Sequence, residues 1–433
     1  MSAAVHVLAL LQAFDPQVVP PGNTSFFFWS LFKIVVVFTV LMVTVALLTL
    51  MERKVAAFIQ DRPGPNRVGP GGLLQPAADG LKNFMKEETN PDFAYKPLFT
   101  LAPAMAFIPA LLTFAVIPFA APLPTPWGLV DMVVADLPVG FLYILAIASL
   151  GVYGIVLAGW ASNSKYSLLG GLRSSAQMVS YEIAMGMSTI PVLLLAGNVA
   201  LKDIIAQQVS QGWNVLLVTV SFFIFLVAAF AETNRLPFDL PEAESELVAG
   251  YHTEYSGMKF SMFFIAEYSN VVTASALMTT LFFGGYDIPF TTWDNVAPYS
   301  VFKWLATLLM FGAKTLFFVF TFMWVRWTLP RFRYDQLMSL GWKFMLPLAL
   351  AYVMIIAGAM LALNALGYYR GWVFSGALIA LNLVLVLLLF VGLDRGRLVS
   401  PAYGPMSERQ LRELRNMSAT RRRDLAEAAG GAD

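Results

Sequence analysis

Six carboxylates crowd one short connector of this chain. Between Glu232 and Tyr255 the sequence reads ETNRLPFDLPEAESELVAGYHTEY, setting Glu232, Asp239, Glu242, Glu244, Glu246 and Glu254 against the single base Arg235. The chain around it is 58% hydrophobic and only 13% charged, so acids have been gathered here. Acids beside a membrane are costly and mark ion pathways or binding sites. The local order predicts a helix start, with Asp239 as cap, Pro241 in the first turn and Glu242 three residues after the cap. In a continuing helix Asp239, Glu242 and Glu246 share one face, and like charges that close raise at least one pKa of the set. Complementing a helix N-terminus would account for two of these acids but not for six. Two more acids, Glu182 and Glu267, fall inside apolar spans. Each costs about 2.5–3.5 kcal/mol at mid-bilayer, which polar packing alone repays poorly. Lys314 is a possible counter-charge for Glu267, and Arg326 closes the same span.

The elements that must position these groups are transmembrane helices. Over 433 residues the mean hydropathy is +0.68, which describes a polytopic membrane protein of all-α class. Nine apolar spans of about 20 residues are predicted at 26–50, 97–119, 138–160, 176–197, 213–231, 260–284, 299–325, 342–366 and 371–393. Lys and Arg concentrate in 51–96, 161–175, 232–259, 326–343 and the tail, which predicts an external N-terminus and a cytoplasmic C-terminus. The first 25 residues lack a basic start and are broken by Asp15, Pro16 and Pro20-Pro21, so no cleavable signal is expected. No internal repeat is visible.

Other chemistries are excluded by residue type. There is no cysteine, which removes disulfides, thiolate zinc sites and cysteine-held iron–sulfur clusters. The two histidines, His6 and His252, are far apart, so no metal site is expected. Net charge is +1, which suggests no nucleic-acid partner.

The first large connector, ERKVAAFIQDRPGPNRVGPGGLLQPAADGLKNFMKEETNP, opens on Glu52 and Arg53 and turns at Pro63-Gly64-Pro65 and Gly69-Pro70-Gly71-Gly72. Its glycines precede no GK[ST], so they cradle no phosphate. Leu74, Ala77, Ala78, Leu81, Phe84 and Met85 then recur at helical spacing around Asp79, which predicts an amphipathic helix at the membrane surface. A basic, aromatic connector carries Arg331, Arg333, Tyr334 and Asp335, and the Arg-rich tail includes Arg421, Arg422 and Arg423. Both suit lipid headgroups or an acidic partner.

Three stretches carry a family resemblance: ERKVAAFIQDRPGPNRVGPGGLLQPAADGLK, AETNRLPFDLPEAESELVAGYHTEYSGMKF, and RFRYDQLM with Trp342. Over roughly residues 26–366 the chain resembles the family of the quinone-chamber membrane subunit, the H subunit, of NADH–quinone oxidoreductase (respiratory complex I). The resemblance implies a chain without a redox centre of its own that lines a tunnel for quinone, its substrate. Partner subunits are implied to carry FMN and the iron–sulfur clusters, the last of which faces the quinone head. Further membrane-arm subunits and lipid are the other partners implied. It places Glu52, Arg53, Asp79, Arg235 and Phe238 with quinone binding. It places Asp239, Glu242, Glu244, Glu246, Glu254, Glu182 and Glu267 with proton coupling. The expected organisation is an external segment 1–25, an eight-helix core 26–366, an extra transmembrane helix 367–394 and a cytoplasmic tail 395–433. Read from the residues alone, a passage for a long apolar substrate needs few polar groups, and its reduction demands protons that nearby carboxylates supply. The alternatives are the homologous membrane component of a membrane-bound hydrogenase, a stand-alone ion transporter, and a structural anchor that leaves the acids unexplained.

Overall fold

The computed structural model describes residues 24–126, 128–239, 248–289, 291, 293–368 and 371–394. The chain divides into two units, residues 1–382 and 383–433, and the first contains everything described below. Of the second, only the last turns of the final helix are described.

Apolar runs long enough to cross a bilayer give long helices, even with Pro103 and Pro109 inside one and Pro191 inside another. They are α1 (Thr24–Ile59), α3 (Lys96–Leu112), α4 (Gly140–Ala161), α5 (Lys165–Ala196), α10 (Val301–Thr328), α12 (Leu346–Ala365) and α13 (Trp372–Asp394). Among the described residues, these seven meet the length and hydropathy of membrane spans, α3 and α12 with the turns next to them. The all-α, multi-pass expectation therefore holds. The other two of the nine expected spans are helical but atypical. α8 (Thr219–Glu232) is 14 residues long, preceded by α6 (Leu201–Gln211) and the single turn α7 (Asn214–Leu217). α9 (Gly257–Phe282) is long enough, but Glu267, Asn270 and several Ser and Thr dilute its hydropathy. Those polar groups are affordable because α9 is central: from Val271 to Phe282 every side chain is buried.

Packing explains the departures in boundary. The polar stretch expected as a connector at 161–175 is helical from Lys165 onward. Its small residues are a packing surface. A Cβ on Gly170 would sit 2.6 Å from the backbone of Gly250, so two backbones touch there. Gly154 of α4 does the same against Ala106 of α3, at 2.7 Å. The amphipathic α2 (Gln75–Met85) forms as predicted and buries none of its residues in this chain. Between α3 and α4 an antiparallel hairpin, β1 (Ala120–Thr125) and β2 (Gly128–Met132), pairs Ala120 with Met132 and Thr125 with Gly128. A bulge between Ala120 and Leu123 shifts its register. α11 (Tyr334–Ser339) leads through a π-helical turn, Leu340–Met345, into α12.

Candidate functional site

Glu52 is the centre of the site. It lies near the end of α1, 5% exposed, where the helix meets three other elements. Tyr268 of α9 donates its hydroxyl to Glu52 Oε2 at 2.5 Å. Arg235, in the connector after α8, approaches the same oxygen at 3.4 Å. Arg326, at the end of α10, donates to Oε1. On its other side Arg235 Nε lies 2.9 Å from Glu267 Oε1 of α9, an ion-pair separation without hydrogen-bond alignment. Its guanidinium also covers the Tyr268 ring at 4.1 Å. Two carboxylates and two guanidiniums thus neutralise one another in a largely buried pocket, as buried charges must. Burial works against the Arg235 charge, but the Glu267, Tyr268 and Glu52 oxygens outweigh it and hold its pKa above the ordinary value.

A second group of acids lies alongside. Glu232, Glu267, Thr233, Asn234 and Asn270 line a cavity of about 40 Å³ with Ala148, Gly151 and Met178. That exceeds the roughly 10–15 Å³ a water molecule requires. Glu182 of α5 accepts from Ser149 of α4, and its charge acts on Glu232. The structure therefore brings Glu52, Arg235 and Glu267 together, with Glu182 and Glu232 close by.

The connector is held in place partly by residues the sequence analysis named, Phe238, Asp239, Arg331 and Trp342, and partly by Gln177, Tyr181 and Phe332, which it did not single out. Gln177, buried in α5, donates Nε2 to Ala231 O at 2.8 Å and to Phe238 O at 2.7 Å. Phe238 is buried between Phe332, stacked at 5.5 Å, and Tyr181, at 5.7 Å. The Phe332 amide donates to Pro237 O at 3.1 Å. Asp239 is buried and pairs with Arg331 at 3.3 Å. Tyr181 donates to Leu337 O at 2.9 Å, and Trp342 donates to Ser180 at 3.0 Å. A polar residue at the start of an apolar span was the only available signal for Gln177.

Arg53 and Asp79 do meet. Their charges pair at 2.6 Å, and Gln75 donates to the other Asp79 oxygen at 3.1 Å. Lys54 donates to Gly71 O at 2.6 Å, folding the Gly/Pro loop back onto α1. The pair joins the end of α1 to α2, with Arg53 half exposed. At that exposure it contributes about 0–1 kcal/mol, so it sets geometry more than stability. Apolar side chains flank it on the surface: Leu81, Phe84 and Met85 of α2 and Phe58 of α1 are all more than half exposed.

One expectation changes. Lys314 is not the counter-charge of Glu267. Its ammonium donates to Phe283 O, Gly285 O and Asp287 O, closing the far end of α9. Lys314 precedes Arg326 by 12 residues on α10, about 18 Å along the axis, so it faces the opposite end of α9 from Glu267. Arg235 takes that role. Glu254 is half buried in the turn before α9. Glu242, Glu244 and Glu246, with the helix expected there, lie outside the described residues, as do the N-terminal segment through residue 23 and the tail from residue 395.

A family model described as NADH dehydrogenase matches residues 32–357. Among curated relatives, the first of the NADH-quinone oxidoreductase H subunits of Cytophaga hutchinsonii is 51% identical over 327 residues, which is 76% of this chain and 95% of that one. The corresponding NADH-quinone oxidoreductase protein of Leptospira biflexa is 52% identical, over 75% of this chain and 93% of its own. That of Salinibacter ruber is 50% identical, over 78% and 98%.

Proposed function

The chain belongs to the NADH dehydrogenase family, as a membrane subunit of an NADH-quinone oxidoreductase, and from that premise we propose that its Glu52 cluster joins quinone binding to proton movement. In this reading Arg53 and Asp79, with the apolar surface of α2 beside them, frame the entrance for a long apolar quinone. Glu52, Arg235 and Phe238 lie further along the passage. The carboxylates Glu182, Glu232 and Glu267, with Asp239, Glu242, Glu244, Glu246 and Glu254, receive and pass on the charge change that accompanies reduction. Partner subunits would bring FMN and iron–sulfur clusters to the quinone, and the chain itself would hold no redox centre. The large connectors and the C-terminal tail would face the cytoplasm.

One observation carries this proposal. Arg235 bridges Glu52, on the side of α1 and α2, to Glu267, which lines the acid-bounded cavity. A change of charge at one carboxylate is felt at the other through a single guanidinium. In a poorly solvated site that coupling is screened little.

The test is Glu52→Gln in the assembled complex. Gln retains the shape and one acceptor but removes the charge. Electron transfer from NADH to a water-soluble artificial acceptor should stay at the parental level, because it does not pass through the membrane. Quinone reduction should fall at least tenfold, and proton translocation with it. Parental quinone kinetics in a complex that still reduces the artificial acceptor would refute the assignment.

A further inference from the structure

A large cavity lies at the end of the molecule away from Glu52. It has a volume of about 620 Å³ and lies between α1, α10 and the hairpin. Its wall is almost entirely apolar, running from Trp29 to Thr44 on α1 and from Trp304 to Val319 on α10. Each run covers 16 residues, about 22 Å of helix axis from first to last. That is about half the 40–45 Å thickness of a bilayer with its headgroups, so the cavity is one leaflet deep.

Its polar end is specific. Trp29, Lys33 and Trp304 gather where the hairpin covers the cavity. Lys33 Nζ donates to Asp131 O at 3.1 Å and Val133 O at 2.7 Å, both backbone carbonyls. The nearby carboxylates of Asp131 and Asp136 are paired with Lys202, at 2.8 and 2.6 Å. Among the described residues no carboxylate is bonded to Lys33, and an ammonium has a third N–H to give.

We propose that this cavity is a binding site for one phospholipid acyl chain of the leaflet on the hairpin side, with the lipid phosphate against Lys33. An apolar cavity of about 150 Å³ accommodates benzene, so this one has room for roughly 20–25 carbons, one long chain with slack. A transmembrane helix of a neighbouring subunit is 10–12 Å across and would need about 1,700 Å³ over the same length. Indole rings at the polar end belong at the headgroup level, and a cation there attracts phosphate. The bound chain would fill the gap between α1 and α10, the two helices whose other ends carry Glu52 and Arg326.

The test uses the assembled complex in nanodiscs of phosphatidylethanolamine carrying a dibrominated stearoyl chain, imaged by cryo-electron microscopy. One elongated density should run from Trp29 and Trp304 to Thr44 and Val319, with bromine peaks inside it and phosphate beside Lys33. A Cβ added at Gly312, on the cavity wall, meets no atom within 4 Å, so Gly312→Phe fills the space without moving backbone. That variant should lose this density while lipid elsewhere on the surface stays. An empty cavity, density without bromine, a helix of another subunit in the space, or a chain ending in a quinone ring would each overturn the proposal.

Discussion

Glu52 meets one donor from each of three elements: Tyr268 on α9, Arg235 after α8 and Arg326 on α10. A carboxylate with two oxygens has room for about four hydrogen bonds, so it can knit several elements together. Gln177 does the complementary work as a donor. Its Nε2 serves Ala231 O and Phe238 O, both ends of the turn that carries Arg235. Gln177→Leu keeps the bulk but leaves those carbonyls without their donor in a buried setting. We expect a loss of about 1–3 kcal/mol, read as a lower unfolding midpoint of the solubilised complex. An unchanged midpoint would mean that the turn is held by Phe238 packing alone. The sequence made Glu52, Arg53 and Asp79 visible because charge is rare in this chain. It did not reveal Tyr268 or Gln177, since an isolated Tyr or Gln in an apolar span has many possible partners.

At the level of elements, the last helix has a definite task. The family model stops at residue 357, and the relatives match about three quarters of this chain. α13 lies beyond that boundary, yet it enters the interior. Between α7 and α8 the helix is broken at Val218, which has φ −138° and ψ 55°. Asn382 of α13 donates to Leu217 O at the break, at 2.5 Å, and accepts from Tyr352 of α12, at 2.5 Å. Ser375 donates to Gln211 O at 3.0 Å, one element earlier. A broken helix is tolerated at membrane depth only where other groups satisfy its backbone. Asn382→Leu should therefore cost about 1–3 kcal/mol, seen as reduced thermal stability of the complex, whereas Asn382→Asp should retain the Tyr352 bond and still lose the donor. Equal stability of all three chains would show that the break is satisfied by other means. The helix itself was legible as an apolar run. Its attachment was not, because hydropathy says nothing about which neighbour an Asn finds.

For the whole molecule, the charge bias predicts a topology. With basic residues concentrated in the connectors at 51–96 and 326–343 and in the tail, the C-terminus should lie in the cytoplasm. A reporter active only outside the cytoplasm, fused after Asp433, should be silent; a strong signal would mean an even number of spans. The class of molecule, the approximate positions of its helices and the few places where charge enters apolar surroundings can all be read from the residues in order. Those are properties of single segments: about 20 apolar residues satisfy their own backbone in lipid wherever they stand in the fold. The pairings depend on how the helices pack. Glu267 chooses Arg235, a connector residue, over Lys314, which instead closes the far end of α9. The polar run at 165–175 becomes helix because Gly170 meets Gly250 across a close helix contact. An ion pair needs its atoms within about 4 Å, and only the packing of α1, α9 and α10 around the connector brings groups separated by 274 residues, Glu52 and Arg326, to that distance.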